Sequence, residues 1–110
     1  QAQADAWASR DVARAAGVQA FRVSRARDGE LAIAVRADGA TRVEVSGDVT
    51  RWAPVTLERA PDGLWWARFP IPEATLMEVA VRIDGGAWIA PPGTEAVRDE
   101  FGGVSGRIAV

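Results

Sequence analysis

The sequence of 110 residues predicts an all-β fold, an antiparallel β-sandwich with a short N-terminal helix. Two observations lead to this prediction. Apolar and polar residues alternate with a period of two from Val18 onward, as in strands that bury one face. Turn sequences with Asp-Gly or Gly-Gly separate the alternating runs about every 8 to 12 residues, which is typical of the short strands of a sandwich.

One stretch, Asp5 to Ala16, has the character of a helix. It is rich in Ala, Asp5 can cap its N-terminus, and Gly17 supplies a stop at its C-terminus. The residues that share one side of this helix are Trp7, Ala8, Asp11, Val12 and Ala15. We therefore divide the chain into an N-terminal extension, residues 1–17, and a sandwich domain, residues 18–110.

The first two predicted strands form a hairpin, Val18 to Arg27 and Glu30 to Ala37, around the turn signal Asp28-Gly29. The further predicted strands are Thr41 to Ser46, Val55 to Arg59, Leu64 to Phe69, Met77 to Ile83, Ala87 to Ala90 and Val104 to Val110. Neighbours on a strand face opposite ways, so we place Trp65 inward and Trp66 outward. The predicted core comprises Leu31, Ile33, Val35, Val43, Val45, Trp65, Phe69, Val79, Val81, Ile83 and Ile108.

The composition excludes most catalytic chemistry. The chain has no His, Cys, Lys or Tyr, and all 13 of its basic residues are Arg. It therefore lacks the ordinary general base near neutral pH, the thiolate nucleophile and the Schiff-base amine. We expect no enzyme activity, no cofactor and no metal site. A net charge of -2 with interspersed signs argues against a nucleic-acid partner. No apolar run approaches the roughly 20 residues of a membrane span.

The first residues, Q-A-Q-A, are of the kind that commonly follows a signal-peptidase cut after a small-residue site. We therefore expect a secreted or periplasmic protein whose signal peptide has been removed. The alternative, that these residues reflect how the protein was expressed, stays open.

Two tryptophans, Trp52 and Trp88, each follow a strand and a Gly-containing turn. A Trp on a loop at the end of a small sandwich has two common uses. It closes the core, or it offers a flat face on which a sugar or a peptide stacks.

With the strands placed, residues 42–110 resemble the glycogen-binding carbohydrate-binding modules, which occur in the beta subunit of AMP-activated protein kinase and before amylase-type catalytic domains. The matching pieces, in order, are V-E-V-S-G-D-V-T-R-W (43–52), D-G-L-W (62–65), P-I-P (70–72), R-I-D-G-G-A-W (82–88) and D-E-F-G-G-V-S-G-R-I-A-V (99–110). The resemblance implies an immunoglobulin-like sandwich. It also implies that Trp52 and Trp88 stack on sugar rings.

Several positions depart from the family pattern. The basic residue expected before the Asp-Gly turn falls at Ala80, and the Asn-containing positions near the C-terminus fall at Ser105 and Gly106. The stacking half of the site is therefore kept, while most of the hydrogen-bonding half is replaced. We therefore expect a non-catalytic module that binds an α-glucan-like carbohydrate weakly. Its expected ligand contacts are Trp52, Trp88, Arg51 and Ser105.

A second hypothesis comes from a different functional class. The N-terminal segment 1–37 is additional to the family-like core, and the last predicted strand, Val104 to Val110, would leave an open sheet edge. Such features favour an exported structural protein that assembles into a homo-oligomer through this segment and its sheet edges. A third hypothesis, a module detached from a larger enzyme, has no linker at either end to support it.

Overall fold

The computed structural model of the protein describes residues 12–26, 29–70, 76–100 and 103–110. Within these residues, nine strands form two antiparallel sheets that pack as a sandwich. The strands are β1 (Ala20–Arg25), β2 (Glu30–Arg36), β3 (Val43–Gly47), β4 (Val55–Thr56), β5 (Glu58–Arg59), β6 (Trp65–Pro70), β7 (Leu76–Ile83), β8 (Glu95–Arg98) and β9 (Val104–Ala109). The strand order is β1-β2-β6-β5 in the four-stranded sheet and β4-β3-β7-β9-β8 in the five-stranded sheet. The predicted fold class, an immunoglobulin-like sandwich with a short N-terminal helix, is confirmed.

The helix before β1 ends where the sequence predicts. Residues 12–15 are helical, and Gly17 follows with a φ of 94°. The Gly17 amide donates to the Arg14 carbonyl (3.1 Å), and the Val18 amide donates to the Ala13 carbonyl (2.8 Å). This is the Schellman pattern of a helix C-terminus, in which a residue with positive φ reverses the chain. Gly17 is therefore the stop that the sequence indicates.

The predicted apolar side of this helix is wrong in its described part. Val12 is 54% exposed and Ala15 is exposed, whereas Ala13 is buried. The Schellman turn sends Val18 into the core, and Ala13, which bonds to Val18, is carried inward with it. The other predicted members of that side, together with the cap at Asp5, lie outside the described residues.

The N-terminal hairpin is confirmed. β1 pairs with β2 in antiparallel register, with Phe21 opposite Val35 and Val23 opposite Ile33. Phe21 and Val23 pack against the chain's own core. Of the predicted turn, Gly29 has the expected positive φ of 83°, while residues 27 and 28 lie outside the described part of the chain.

The predicted single strand Val55 to Arg59 is instead two short strands in different sheets. β4 pairs with β3, and β5 pairs with β6. Leu57 lies between them, is 2% exposed, and donates its amide to the Val43 carbonyl at 2.8 Å. Burial of this one side chain between the sheets makes the chain cross from one sheet to the other.

The region after β7 differs from the prediction in two ways. The predicted strand Ala87 to Ala90 is reduced to a single bridge between Ile89 and Val81, because the prolines that follow have no N–H for a ladder. β8 was not predicted, and it pairs along β9. The C-terminal strand therefore lies inside its sheet, and the edge strands of the described sheets are β1, β5, β4 and β8.

The core follows the predicted alternation closely. Most of the predicted core residues are buried, and the two exceptions, Ile83 and Ile108, are half-buried and pack against the cluster. Trp65 is 7% exposed and Trp66 is 37% exposed, so the predicted facing of this pair is confirmed. The buried apolar residues that the predicted core set omits are Ala13, Val18, Ala37, Ala40, Leu57, Met77, Ala80, Ile89 and Ala90.

Candidate functional site

A shallow hollow of about 320 Å³ lies over the outer face of the five-stranded sheet. We call it the tryptophan hollow, after the residues that line it: Ser46, Trp52, Glu78, Ala80, Trp88, Val97, Asp99, Gly103, Val104 and Ser105. β3 and β7 bring part of this set together, because Ser46 and Ala80 are cross-strand partners. The two tryptophans come from the loops that follow these two strands.

Trp52 is held by a tight loop that begins at Gly47. A Cβ at Gly47 would collide with the backbone of Glu78 and Val79, so only glycine allows β3 to approach β7 here. The Trp52 amide donates to the Gly47 carbonyl at 2.9 Å. Asp48 ties the loop to the neighbouring strand, since its Oδ2 accepts from the Glu78 amide at 2.7 Å.

The loop keeps Trp52 in an unusual backbone conformation. Arg51 and Trp52 both have positive φ, 55° and 61°. Residues other than glycine occupy this left-handed region at a cost of about 1–3 kcal/mol each. The Trp52 side chain is 49% exposed, so this loop presents a large apolar ring to solvent instead of burying it.

Trp88 is supported by an arginine. The guanidinium carbon of Arg82 lies 4.4 Å from the centroid of the Trp88 ring, well inside the range of a cation–π contact. Arg82 in turn donates from Nε and Nη2 to the two carboxylate oxygens of Glu44, at 3.1 and 2.9 Å. The Arg82 hydrogen bond lowers the pKa of Glu44 from its ordinary value, with a further contribution from the charge of Arg42.

The turn between β7 and Trp88 is anchored by Asp84. Its Oδ1 accepts from the Thr41 amide and hydroxyl, both at 2.8 Å, and from the Arg42 amide at 2.7 Å. The hydrogen bond from the Thr41 hydroxyl, followed by those from the two amides, lowers the pKa of Asp84. The Asp84 amide also donates to the Arg42 carbonyl at 2.9 Å. The start of β3 and the end of β7 are therefore fixed to each other.

Polar groups of the hollow can serve a ligand that carries hydroxyls. The Ser105 hydroxyl is at 3.5 Å from Glu78 Oε1, and Ser46 lies nearby on β3. Asp99 holds its own loop, because its Oδ1 accepts from the Gly103 amide at 2.8 Å. Carboxylates accept hydrogen bonds, and a serine hydroxyl both donates and accepts. Around two aromatic rings, this set is suited to orienting a polyhydroxylated molecule.

The structure brings together three of the four residues that the sequence singles out. Trp52, Trp88 and Ser105 line the hollow, while Arg51, which is exposed beside Trp52, is not among the described residues that line it. Gly106, which the resemblance matches to an Asn-containing position, pairs with inward-facing Val79 and has Thr94 and Pro91 where a Cβ would stand. A side chain at that position would point away from the site.

Ser46, Glu78 and Asp99 line the hollow but are not among the predicted site residues. A signal for the first two is present, because both occupy the outward phase of strands whose inward residues were assigned. Asp99 comes from the turn between β8 and β9, and that hairpin has no comparable alternation.

No protein-family model matches the chain, and no curated protein is significantly similar to it. In the part of the chain that the structure describes, no group of three or more acidic, His or Cys residues is placed to hold a metal ion. Nor does any helix there have the length and apolarity to cross a membrane.

Proposed function

We propose that the protein is a non-catalytic carbohydrate-binding module that takes an α-glucan-like oligosaccharide in the tryptophan hollow. The observation that carries this proposal is the convergence of Trp52 and Trp88 on one concave surface. The two residues are far apart in the sequence, and neither belongs to the core cluster of the described residues. Trp52 is half exposed, and Trp88 is held from one side by Arg82.

Aromatic rings and sugars are complementary in a simple way. A pyranose has apolar C–H faces and polar hydroxyls at its rim, and an indole offers a large flat apolar surface. The hollow has the volume of a small-ligand site, where apolar walls supply contact area and a few polar groups fix orientation. Two tryptophans can contact one glucan chain at two places.

The polar partners supply the second half of recognition. Ser46, Ser105 and Glu78 also line the hollow, so their hydroxyl and carboxylate groups can supply donors and acceptors to sugar hydroxyls. A hydroxyl left unpaired at such a wall would cost roughly 1–3 kcal/mol. Ala80 offers no polar group, so we expect weak affinity.

This function is tested by titrating the pure chain with a series of maltooligosaccharides and measuring binding by isothermal titration calorimetry. Binding should be detectable at millimolar ligand, and Trp52→Ala should abolish it. Trp66→Ala is the matched control, because Trp66 is also an exposed tryptophan but lies on the other sheet. The absence of binding by the wild-type chain at millimolar oligosaccharide would refute the proposal. Hydrolysis of the glucan during the titration would contradict its non-catalytic part.

A further inference from the structure

One carboxylate on the outer sheet face is unusually enclosed. Glu44 lies on β3 with 7% of its surface exposed, although its strand phase points away from the core. Its nearest partners are Arg82 on β7, with two hydrogen bonds, and Arg42 two residues before it, at 3.3 Å. A carboxylate is costly to desolvate, so its enclosure between two guanidinium groups suggests that it orients one of them.

Arg82 also contacts Trp88, so fixing the orientation of its guanidinium would fix the support of that ring. A guanidinium is planar, and a two-point bond to a carboxylate fixes the position and the tilt of that plane. The same guanidinium lies over the Trp88 ring at 4.4 Å. Arg82 is not among the described residues that line the hollow, so it supports Trp88 from outside the space that a ligand would fill.

We propose that Glu44 is a positioning residue of the carbohydrate site: it fixes the guanidinium of Arg82, which holds the Trp88 ring in the orientation that a sugar face requires. This inference rests on the proposed function for its ligand. Its first link, from Glu44 to the order of Trp88, is a property of the free protein.

The competing explanation is that the Glu44–Arg82 pair only joins β3 to β7. Glu44 and Arg82 are cross-strand partners, and opposite charges at such positions stabilise a sheet. In that case a change at Glu44 would lower the stability of the fold and leave the motion of the Trp88 ring in the folded protein unchanged. The order of the ring therefore separates the two explanations.

The experiment compares Glu44→Gln with Asp38→Asn. Both changes replace a carboxylate with an amide of the same shape and remove an ion pair. The control pair, Arg36 with Asp38 at 3.5 Å, is solvent-exposed and lies away from the hollow. The readout is the ¹⁵N relaxation of each indole N–H in the free protein, with the Trp88 signal assigned by Trp88→Phe. Glu44→Gln should increase the fast motion of the Trp88 indole alone, and Asp38→Asn should change none of the indoles.

Affinity for a maltooligosaccharide is the second readout. A ring that must be ordered on binding weakens affinity by roughly two- to tenfold, and this loss is expected for Glu44→Gln and not for Asp38→Asn. Arg82→Lys keeps the positive charge but loses the planar stack, so it should reproduce both effects. It also serves as the second variant if Glu44→Gln does not fold.

Each outcome of these measurements either supports or overturns the proposal. The proposal is overturned if the motion of the Trp88 indole is unchanged in the folded variants. It is also overturned if that motion increases while the affinity for the oligosaccharide stays the same. Increased motion together with weaker binding supports it. If the wild-type chain binds no glucan, the proposed function fails, and the link from Glu44 to Trp88 is still decided by the relaxation of the free protein.

Discussion

Replacing Trp65 with alanine should destabilise the fold far more than the same change at its neighbour Trp66. Trp65 is 7% exposed and belongs to the core cluster, whereas Trp66 is 37% exposed on the outer face of β6. Loss of a buried aromatic side chain costs about 3–5 kcal/mol. For Trp65 the lower end applies, because its Nε1 has no hydrogen-bond partner among the described residues and such a buried donor costs about 1–3 kcal/mol in the native protein.

For Trp66 the expected loss is about 0.5–1 kcal/mol, which is the scale of its exposed contact with Arg68 at 5.8 Å. Trp65→Phe should be milder than Trp65→Ala, since phenylalanine keeps a ring and removes the unpaired N–H. Urea denaturation followed by far-ultraviolet circular dichroism measures all three without relying on tryptophan emission. Equal destabilisation by the two alanine variants would refute the assigned facing of β6. A larger loss for Trp65→Phe than for Trp65→Ala would refute the argument about the N–H.

The remaining predictions concern the pH dependence of stability and the oligomeric state. Hydrogen bonds from Arg82 and Thr41 lower the pKa of Glu44 and Asp84, respectively. A carboxyl whose pKa is lower in the folded state than in the unfolded state stabilises the fold at pH values above its unfolded-state pKa. This stabilisation is lost as the pH falls through the folded-state pKa, so the free energy of unfolding should decline below about pH 4. Denaturation at a series of pH values checks this, and Asp84→Asn should make the decline smaller; an unchanged decline would contradict the assignment. Assembly through the segment 1–37 predicts an oligomer in light scattering, and a monomer at high concentration would rule it out.

Much of the sandwich could be predicted because apolar and polar residues alternate along most of its strands. That pattern places the hairpin of β1 and β2, and it also assigns the opposite facings of Trp65 and Trp66. It fails at Leu57, where the alternation continues while the chain leaves one sheet for the other. It fails again at β8, since Glu95–Arg98 has little buried surface and is a strand mainly through its pairing with β9.

The candidate site could be predicted only in part, for a related reason. Two loop tryptophans are visible in the sequence, but their meeting on one surface depends on the pairing of β3 with β7. The same pairing places Glu44 opposite Arg82, a contact between residues far apart in the chain that no local pattern reveals. Arg51 is a predicted ligand contact next to Trp52 in the sequence, but of these two residues, both with positive φ, the Trp52 side chain lines the hollow and Arg51 does not.

The most direct test of carbohydrate binding in the tryptophan hollow is a calorimetric titration of one maltooligosaccharide into three proteins: wild type, Trp52→Ala and Trp66→Ala. We expect weak binding by the wild type, equal binding by Trp66→Ala, and none by a folded Trp52→Ala, because Trp52 lines the hollow and Trp66 does not. Binding that survives in Trp52→Ala, or that is lost equally in both variants, would contradict the assignment of the tryptophan hollow as the carbohydrate site.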